Sequence, residues 1–363
     1  MPGRPALSNT IRQQIRFCTA RDGARLAYAT SGKGPPLVKA ANWITHLEHD
    51  LQSPVWSHLM RELSSRHTLL RYDQRGGGLS DWDVPSHTFD DWVSDLESVV
   101  DAAGLDSFPL LGISQGAAIA AAYAVRHPKR VTHLVLYGGF VQGRLKRATT
   151  PQAREEAETI SKLAEIGWGR ENAAFRQFFT TQFIPDGTPE QHRWFNDLQR
   201  TSTTPANAAR MMRTSNDIDV SHLLAHVACP TLVLHATREV RAPFEQGRRL
   251  AAGIPHARFV PLESNNHLLL ESEPAWAQWA EEVEAFLPGA AAPAFTGLTP
   301  RELHLLDLLA TGRDNSQIAA VLDLREKTIR NHVSSIYAKL EVESRAQAIV
   351  MARRAGLGQE VAA

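Results

Sequence analysis

An apolar strand, Pro109 to Ile113, runs directly into Ser114, and a helix of very small residues runs out of it. Glycines stand two residues to either side, in Gly112-Ile113-Ser114-Gln115-Gly116, and Ala117, Ala118, Ala120, Ala121 and Ala122 follow. A chain that passes from strand to helix through a single residue must turn in strained geometry, which lifts that side chain above the end of the strand. Gly112 and Gly116 remove side chains that would clash with the turn, and the alanines let the helix lie close on a sheet. The run therefore predicts a strand–turn–helix unit in a layered α/β fold, with the Ser114 hydroxyl raised for attack.

The surrounding pattern agrees. Two short β stretches, 15–19 and 25–29, are joined by the hairpin signal Arg21-Asp22-Gly23. Strands at 37–40, 68–72, 109–113 and 131–137 then alternate with helices at 55–65, 89–103 and 115–126, the last stopped by Pro128. This is the rhythm of a mostly parallel sheet covered on both faces. From 141 to 228 no strand pattern stands out. Helix formers punctuated by Pro151, Pro185-Asp186-Gly187, Pro189 and Pro205 predict a helical lid between two strands. The rhythm returns with strands at 230–235 and 257–262 and helices at 244–252 and 274–286. Pro288 to Gly297 is small, uncharged and rich in Pro and Gly, the composition of an interdomain linker. A chain of 363 residues exceeds one ordinary core, so the expected organisation is a body at 1–287, a linker at 288–297 and a second domain at 298–363. The first ten or so residues are expected to be loosely ordered.

Composition excludes several classes. Hydrophobic residues make up 43% of the chain, too many for a disordered protein. No apolar run could cross a bilayer, and no apolar core follows the basic N-terminus, so neither a membrane span nor a secretory signal is expected. Cys18 and Cys229 lie far apart with no electropositive setting, which predicts inert free thiols and a cytoplasmic protein. The formal net charge is zero, so binding of nucleic acid over the whole surface is excluded.

A serine nucleophile needs a base and an orienting acid. His267 follows the last strand of the body on the turn Ser264-Asn265-Asn266-His267, where a parallel sheet places reactive groups. Glu239 follows the strand at 230–235, flanked by Arg238 and Arg241, and is the candidate acid. Phe175, Phe178 and Phe179 fall on one helical face of the lid; with Trp194, Phe195, Met211 and Met212 they are expected to be mainly lid core. Arg144, Arg147 and Arg210 are expected on solvated surface, though an acidic ligand group could meet them. His46-Leu47-Glu48-His49 has the wrong order for a zinc-protease helix and is read as a loop with exposed histidines. No metal and no cofactor is expected.

Taken together, Asp73-Gln74-Arg75-Gly76-Gly77-Gly78-Leu79-Ser80, the 112–116 elbow and Asn266-His267 resemble the α/β-hydrolase fold in its lid-bearing esterase, haloperoxidase and epoxide-hydrolase-like branch. The resemblance spans about 15–287 and implies a hydrophobic pocket between sheet and lid. It also implies an oxyanion hole. The Gln115 backbone N–H supplies one donor, and a second comes from about Asn42 or Trp43. Here the chain departs from the family: Ala40-Ala41-Asn42-Trp43 replaces the usual His-Gly. Losing one such donor costs on the order of 10²–10³ in rate, so weak hydrolysis or none is expected.

The tail carries a different signal. Thr299-Pro300-Arg301-Glu302 is a helix start, with Leu303, Leu306 and Leu309 at helical spacing up to Gly312. Helices at 315–322, 325–340 and 344–355 follow. The positions Leu298 to Glu302, Gly312, Asn315, Ile318-Ala319, Leu322, Lys327 to Ile329, His332, Ile336, Lys339-Leu340 and Ser344-Arg345 resemble the LuxR-type helix-turn-helix. The resemblance implies a third helix in the major groove of double-stranded DNA, with Arg330, Asn331 and Ser334 facing base edges. Lys327, Thr328 and Lys339 are expected on phosphates, and Val333, Ile336 and Leu340 in the core. Between Arg325 and Leu340 four cations face one anion, a net +3. Such modules read paired half-sites, so a homodimer is expected, through the fourth helix (Ala346, Ile349, Val350) or through the body. The first functional reading is a DNA-binding regulator whose hydrolase body senses a small ester, lactone or acyl compound. The second is a serine esterase or lactonase tethered or autoregulated by its tail.

Overall fold

Strands β1 (Gln13–Thr19) and β2 (Arg25–Ser31) form an antiparallel hairpin, closed where Gly23 takes φ +92°. The computed structural model describes residues 11–168, 173–287, 295, 298–322, 324–340, 342–354 and 357–358. The expected loose N-terminus and most of the expected linker lie outside these residues. The chain divides into two compact units, Met1–Pro288 and Gly289–Ala363.

In the first unit β2 pairs antiparallel with β4 (Thr68–Tyr72). From there every pairing is parallel, through β3 (Pro36–Lys39), β5 (Phe108–Ile113), β6 (Val131–Tyr137), β7 (Thr231–Ala236) and β8 (Arg258–Leu262). The order across the eight strands is β1-β2-β4-β3-β5-β6-β7-β8. β5 and β7 are buried along their whole length, as strands covered on both faces must be, and accordingly read as continuous apolar runs. Helices α1 (Ser57–Arg66), α2 (Phe89–Ala102), α3 (Gln115–Arg126), α8 (Phe244–Gly253) and α9 (Pro274–Phe286) provide that cover. Helix α1 starts later than its sequence pattern predicts. The Ser53 hydroxyl accepts from Val55 N and Trp56 N, both at 2.9 Å, and holds those residues in a turn before the helix begins.

Among the described residues between β6 and β7 lie the α-helices α4 (Pro151–Gly167), α5 (Ala173–Phe183), α6 (Pro189–Ser202) and α7 (Pro205–Asp217). The prolines at 151, 189 and 205 each occupy a first helical turn behind a threonine cap (Thr150, Thr188, Thr204), which is why they punctuate the lid without breaking it. Phe179, Phe195, Met211 and Met212 are buried as expected, but Phe178 is 40% exposed, so the α5 phenylalanines do not share one buried face. His49 is not an exposed loop histidine either: its ring stacks on Trp194 with centroids 4.7 Å apart.

The glycine-rich loop after β4 is a structural knot. The Asp73 carboxylate accepts from Leu47 N (3.0 Å) and Leu79 N (2.9 Å), and a Cβ on Gly78 would strike it. Arg75, almost fully buried, is clamped by Asp95 and Asp22. A buried guanidinium needs such partners to offset its desolvation.

The second unit contains α10 (Pro300–Ala310), α11 (Asn315–Leu322), α12 (Glu326–Leu340) and α13 (Arg345–Arg354). Leu305, Leu306, Leu309, Ile318, Ile329, Val333, Ile336 and Leu340 form its core. Leu303 is 40% exposed, and Leu305, one turn before Leu309, occupies the inward position instead. The Arg345 guanidinium donates to Asn315 Oδ1 (3.0 Å) and to the Arg313 carbonyl, tying the start of α13 to the start of α11.

Candidate active site and nucleic-acid interface

Ser114 stands between β5 and α3 at φ 57°, ψ −125°, a region that side-chain-bearing residues rarely enter. The two flanking glycines make this turn possible. A Cβ on Gly112 would come 2.5 Å from the Gly116 carbonyl, and one on Gly116 would come 2.8 Å from the Ala41 carbonyl. Strain of this kind costs on the order of 1–3 kcal/mol and persists only where the surroundings enforce it.

Glu239 and His267 are brought together behind the serine. Both are buried, and His267 Nδ1 is hydrogen-bonded to Glu239 Oε2. Oε2 also accepts from Ala242 N at 3.2 Å. Burial pushes the Glu239 carboxyl up, but the neighbouring His267 and His235 imidazoles outweigh it and hold the group below the usual carboxylate range. His267 Nε2 is buried with no hydrogen-bond partner among the described residues. With the proton on the Nδ1 that faces Glu239, Nε2 carries the lone pair a general base needs.

Tyr137 links the serine turn to the histidine turn. Its carbonyl accepts from Ser114 N (2.9 Å), and its hydroxyl donates to the His267 carbonyl (2.8 Å). From the other side, the lid holds the histidine: the Phe183 carbonyl accepts from His267 N at 2.8 Å. Gly138, at φ 57°, leaves room between them, because a Cβ there would lie 3.2 Å from His267 Cε1.

Gln115 is the first residue of α3, where a backbone N–H has no acceptor within the helix. Its side chain donates to Gln74 Oε1 at 2.6 Å, away from that role. Opposite it, Asn42 and Trp43 lie on the loop after β3, both buried. Their backbone N–H groups donate to no acceptor among the described residues. The loop is strained at Ile44, φ 51°, and held from below by buried Lys39, whose Nζ donates to Asn42 Oδ1. The Trp43 ring forms a wall with Trp168, Phe179 and Phe183, at centroid distances of 4.9, 6.4 and 5.6 Å.

Three residues of the site were not singled out from the sequence. Phe183 lies with its ring 5.6 Å from that of His267. Arg241 lies over both the Trp43 and Phe183 rings. His235, fully buried at the end of β7, has Nε2 2.8 Å from Glu239 Oε1 and 2.8 Å from the Ala242 carbonyl. Its four-residue spacing to Glu239 was the available signal; Phe183 had none. Replacing His235 with Ala leaves the buried carboxylate with one imidazole fewer, and we expect a stability loss of about 1–3 kcal/mol, measured by urea unfolding. An unchanged midpoint would mean that His235 does not support Glu239.

In the tail, Lys327, Arg330, Asn331 and Ser334 are all exposed at helical spacing along α12, and Thr328 is half-buried beside them. Arg330 makes an ion pair with exposed Glu326 at 3.1 Å. Lys339, expected on a phosphate, is exposed and makes an ion pair within the tail. Its Nζ is 2.7 Å from Glu302, a carboxylate that also caps α10. Lys339 and the capping N–H groups hold the Glu302 carboxyl down at about 2. Lys339 therefore braces α12 against α10.

Residues 49–274, more than half of the chain, match the family described as alpha/beta hydrolase fold. The chain belongs to the α/β-hydrolase fold family. It carries in addition a luxR-type DNA-binding domain, since residues 296–352 match the bacterial regulatory proteins of the luxR family. The AB hydrolase superfamily protein YisY of Bacillus subtilis is 27% identical over 251 residues, 65% of this chain and 86% of that protein. The nitrate/nitrite response regulator protein NarP of Escherichia coli is 42% identical over 74 residues, 20% of this chain and 34% of that protein. The enol-lactonase from Burkholderia xenovorans LB400 has the same fold, with a TM-score of 0.61 at 20% identity over 75% of this chain and 99% of that one. Hydrolase body and luxR-type tail together mark a regulator with a hydrolase-like domain. Among the described residues no helix is long and apolar enough to cross a membrane.

Proposed function

We propose that this regulator senses a small acyl compound, an ester or lactone, bound at Ser114 between sheet and lid. One observation carries the reading: a strained serine elbow backed by a buried Glu239–His267 pair, on the same chain as a luxR-type DNA-binding domain. A serine held at φ 57° is costly, and glycine at that position would relieve the strain. A fold that retains it has a use for the hydroxyl. In this reading Ser114 Oγ meets the ligand carbonyl, His267 Nε2 takes the hydroxyl proton, and Glu239 orients the imidazole. The N–H groups of Gln115 and of Asn42 or Trp43 receive the oxyanion. Lid helices α5 and α6 feel the ligand through Phe183 and Phe195. The DNA-reading form is a homodimer, and exposed Val350 (51%) and Met351 (38%) on α13 are its candidate contact.

A second reading, a working serine hydrolase whose tail tethers or autoregulates it, is favoured by the intact Glu239–His267 contact. Butaneboronic acid separates the two, because it forms a reversible tetrahedral adduct with an activated serine. Duplexes selected from a random pool by the full chain are titrated at physiological salt with and without saturating boronate. A regulatory coupling appears as a change in DNA affinity of about 5-fold or more. Unchanged affinity alongside boronate-inhibited ester turnover leaves the hydrolase reading. If no duplex is selected at all, the regulator reading falls.

A further inference from the structure

Three arginines lie near the candidate site. Arg144, Arg147 and Arg241, with Phe140, Ser215 and Asn216, line a small half-open recess with about 10 Å³ of water-accessible space. Among the described residues none of the three forms an ion pair. Arg147 donates to the Gln142 carbonyl at 3.1 Å, and the Arg241 guanidinium lies 5.4 Å from the Trp43 ring centroid and 5.3 Å from that of Phe183. Among the described residues Arg144 donates to no group. These residues are not the solvated surface arginines expected from the sequence: Arg144 and Arg147 are half-buried.

The electrostatics are costly as they stand. Burial, then the like charges of Arg144 and Arg147, pulls the Arg241 guanidinium down to about 9. Burial and Arg144 pull Arg147 down to about 10. The carboxylate that acts on both, Glu239, is itself engaged by His267 and His235. Half-buried guanidinium groups lining one recess are best offset by an anion with paired acceptor oxygens, and a carboxylate fits their fork geometry.

The pocket adjoins the serine site. Arg241 follows Glu239 by two residues, and the Phe183 ring lies near both the Arg241 guanidinium and the His267 ring. Phe140 follows Gly138 and Gly139, the residues that pass beside His267 and the Ser114 carbonyl. From these placements we infer that the ligand is a hemiester of a short dicarboxylic acid, its ester carbonyl at Ser114 and its free carboxylate held by Arg144, Arg147 and Arg241. This inference rests on Ser114 marking the ligand site. It adds the charge of the ligand.

The test uses the full chain carrying Ser114→Ala, so that nothing is turned over, and compares monomethyl glutarate with methyl pentanoate by titration calorimetry. The two esters have equal chain length and differ in the terminal carboxylate. We expect the hemiester to bind at least tenfold tighter. Adding Arg147→Gln, and separately Arg144→Gln, should cut that preference severalfold, while Arg147→Lys, which keeps the charge, should retain part of it. Equal binding of the two esters, or a preference unaltered by both Gln variants, overturns the inference but leaves the serine site intact as a ligand site. If neither ester binds, both readings fall together.

Discussion

Ser114→Ala is expected to lower kcat/KM for p-nitrophenyl butyrate by on the order of 10⁴-fold or more relative to whatever rate the native chain supports. The hydroxyl is the only group on the elbow that can form the acyl bond, and His267 Nε2 then has no proton to accept. Stability should respond differently to two substitutions at this position. Alanine keeps a Cβ at φ 57°, so the strain stays; glycine removes it. Ser114→Gly is therefore expected to unfold at higher urea than Ser114→Ala, by on the order of 1 kcal/mol. If the alanine variant keeps its turnover, the activity belongs to another site. If the glycine variant is no more stable than the alanine variant, the elbow is not strained and the argument from its conformation fails.

The sequence made the scaffold of this site legible because local rules govern it. The strand into Ser114, the two flanking glycines and the alanine helix each follow from steric limits within a few residues, and the parallel order of the sheet follows from alternating strand and helix patterns. His267 and Glu239 were legible as positions after strand ends, and the structure places them in contact. What stayed hidden depends on contacts between distant segments. Nothing local to Phe183 says that its carbonyl will hold His267 N or that its ring will face the imidazole. Arg144 and Arg147 look like surface residues in a helical insertion until the fold places them with Arg241 around one recess. Lys339 looks like any cation on a recognition helix until α10 brings Glu302 beneath it. In each case the deciding partner lies far away in sequence, and charge or aromaticity alone does not reveal it.

The same distinction sets the second large effect. Arg330 and Asn331 are exposed on α12 and held there by nothing stronger than the solvent-facing pair with Glu326. A surface pair of this kind contributes little, so Arg330 is free to exchange it for a base edge. For Arg330→Ala and Asn331→Ala we expect a loss of about 1–3 kcal/mol each in binding to a selected duplex, with relaxed preference at one base pair per substitution. The double variant should fall roughly 30-fold to 10⁴-fold in affinity while melting like the parent, since neither side chain is in the tail's core. Lys327→Ala should behave differently: weaker binding to every duplex alike, and a salt dependence shallower by about one unit in log–log slope. Lys339→Ala should show a third pattern, a lower melting temperature for the tail, because it removes the ion pair that braces α12 against the cap of α10. These signatures are measured together by titrating each variant against selected and scrambled duplexes at several salt concentrations and melting each protein alone. If Arg330→Ala and Lys327→Ala weaken both duplexes equally, α12 contacts only phosphates and sequence is read elsewhere. If Lys339→Ala changes the salt slope and leaves the melting temperature alone, the Glu302 pair opens on DNA and Lys339 is a phosphate contact after all.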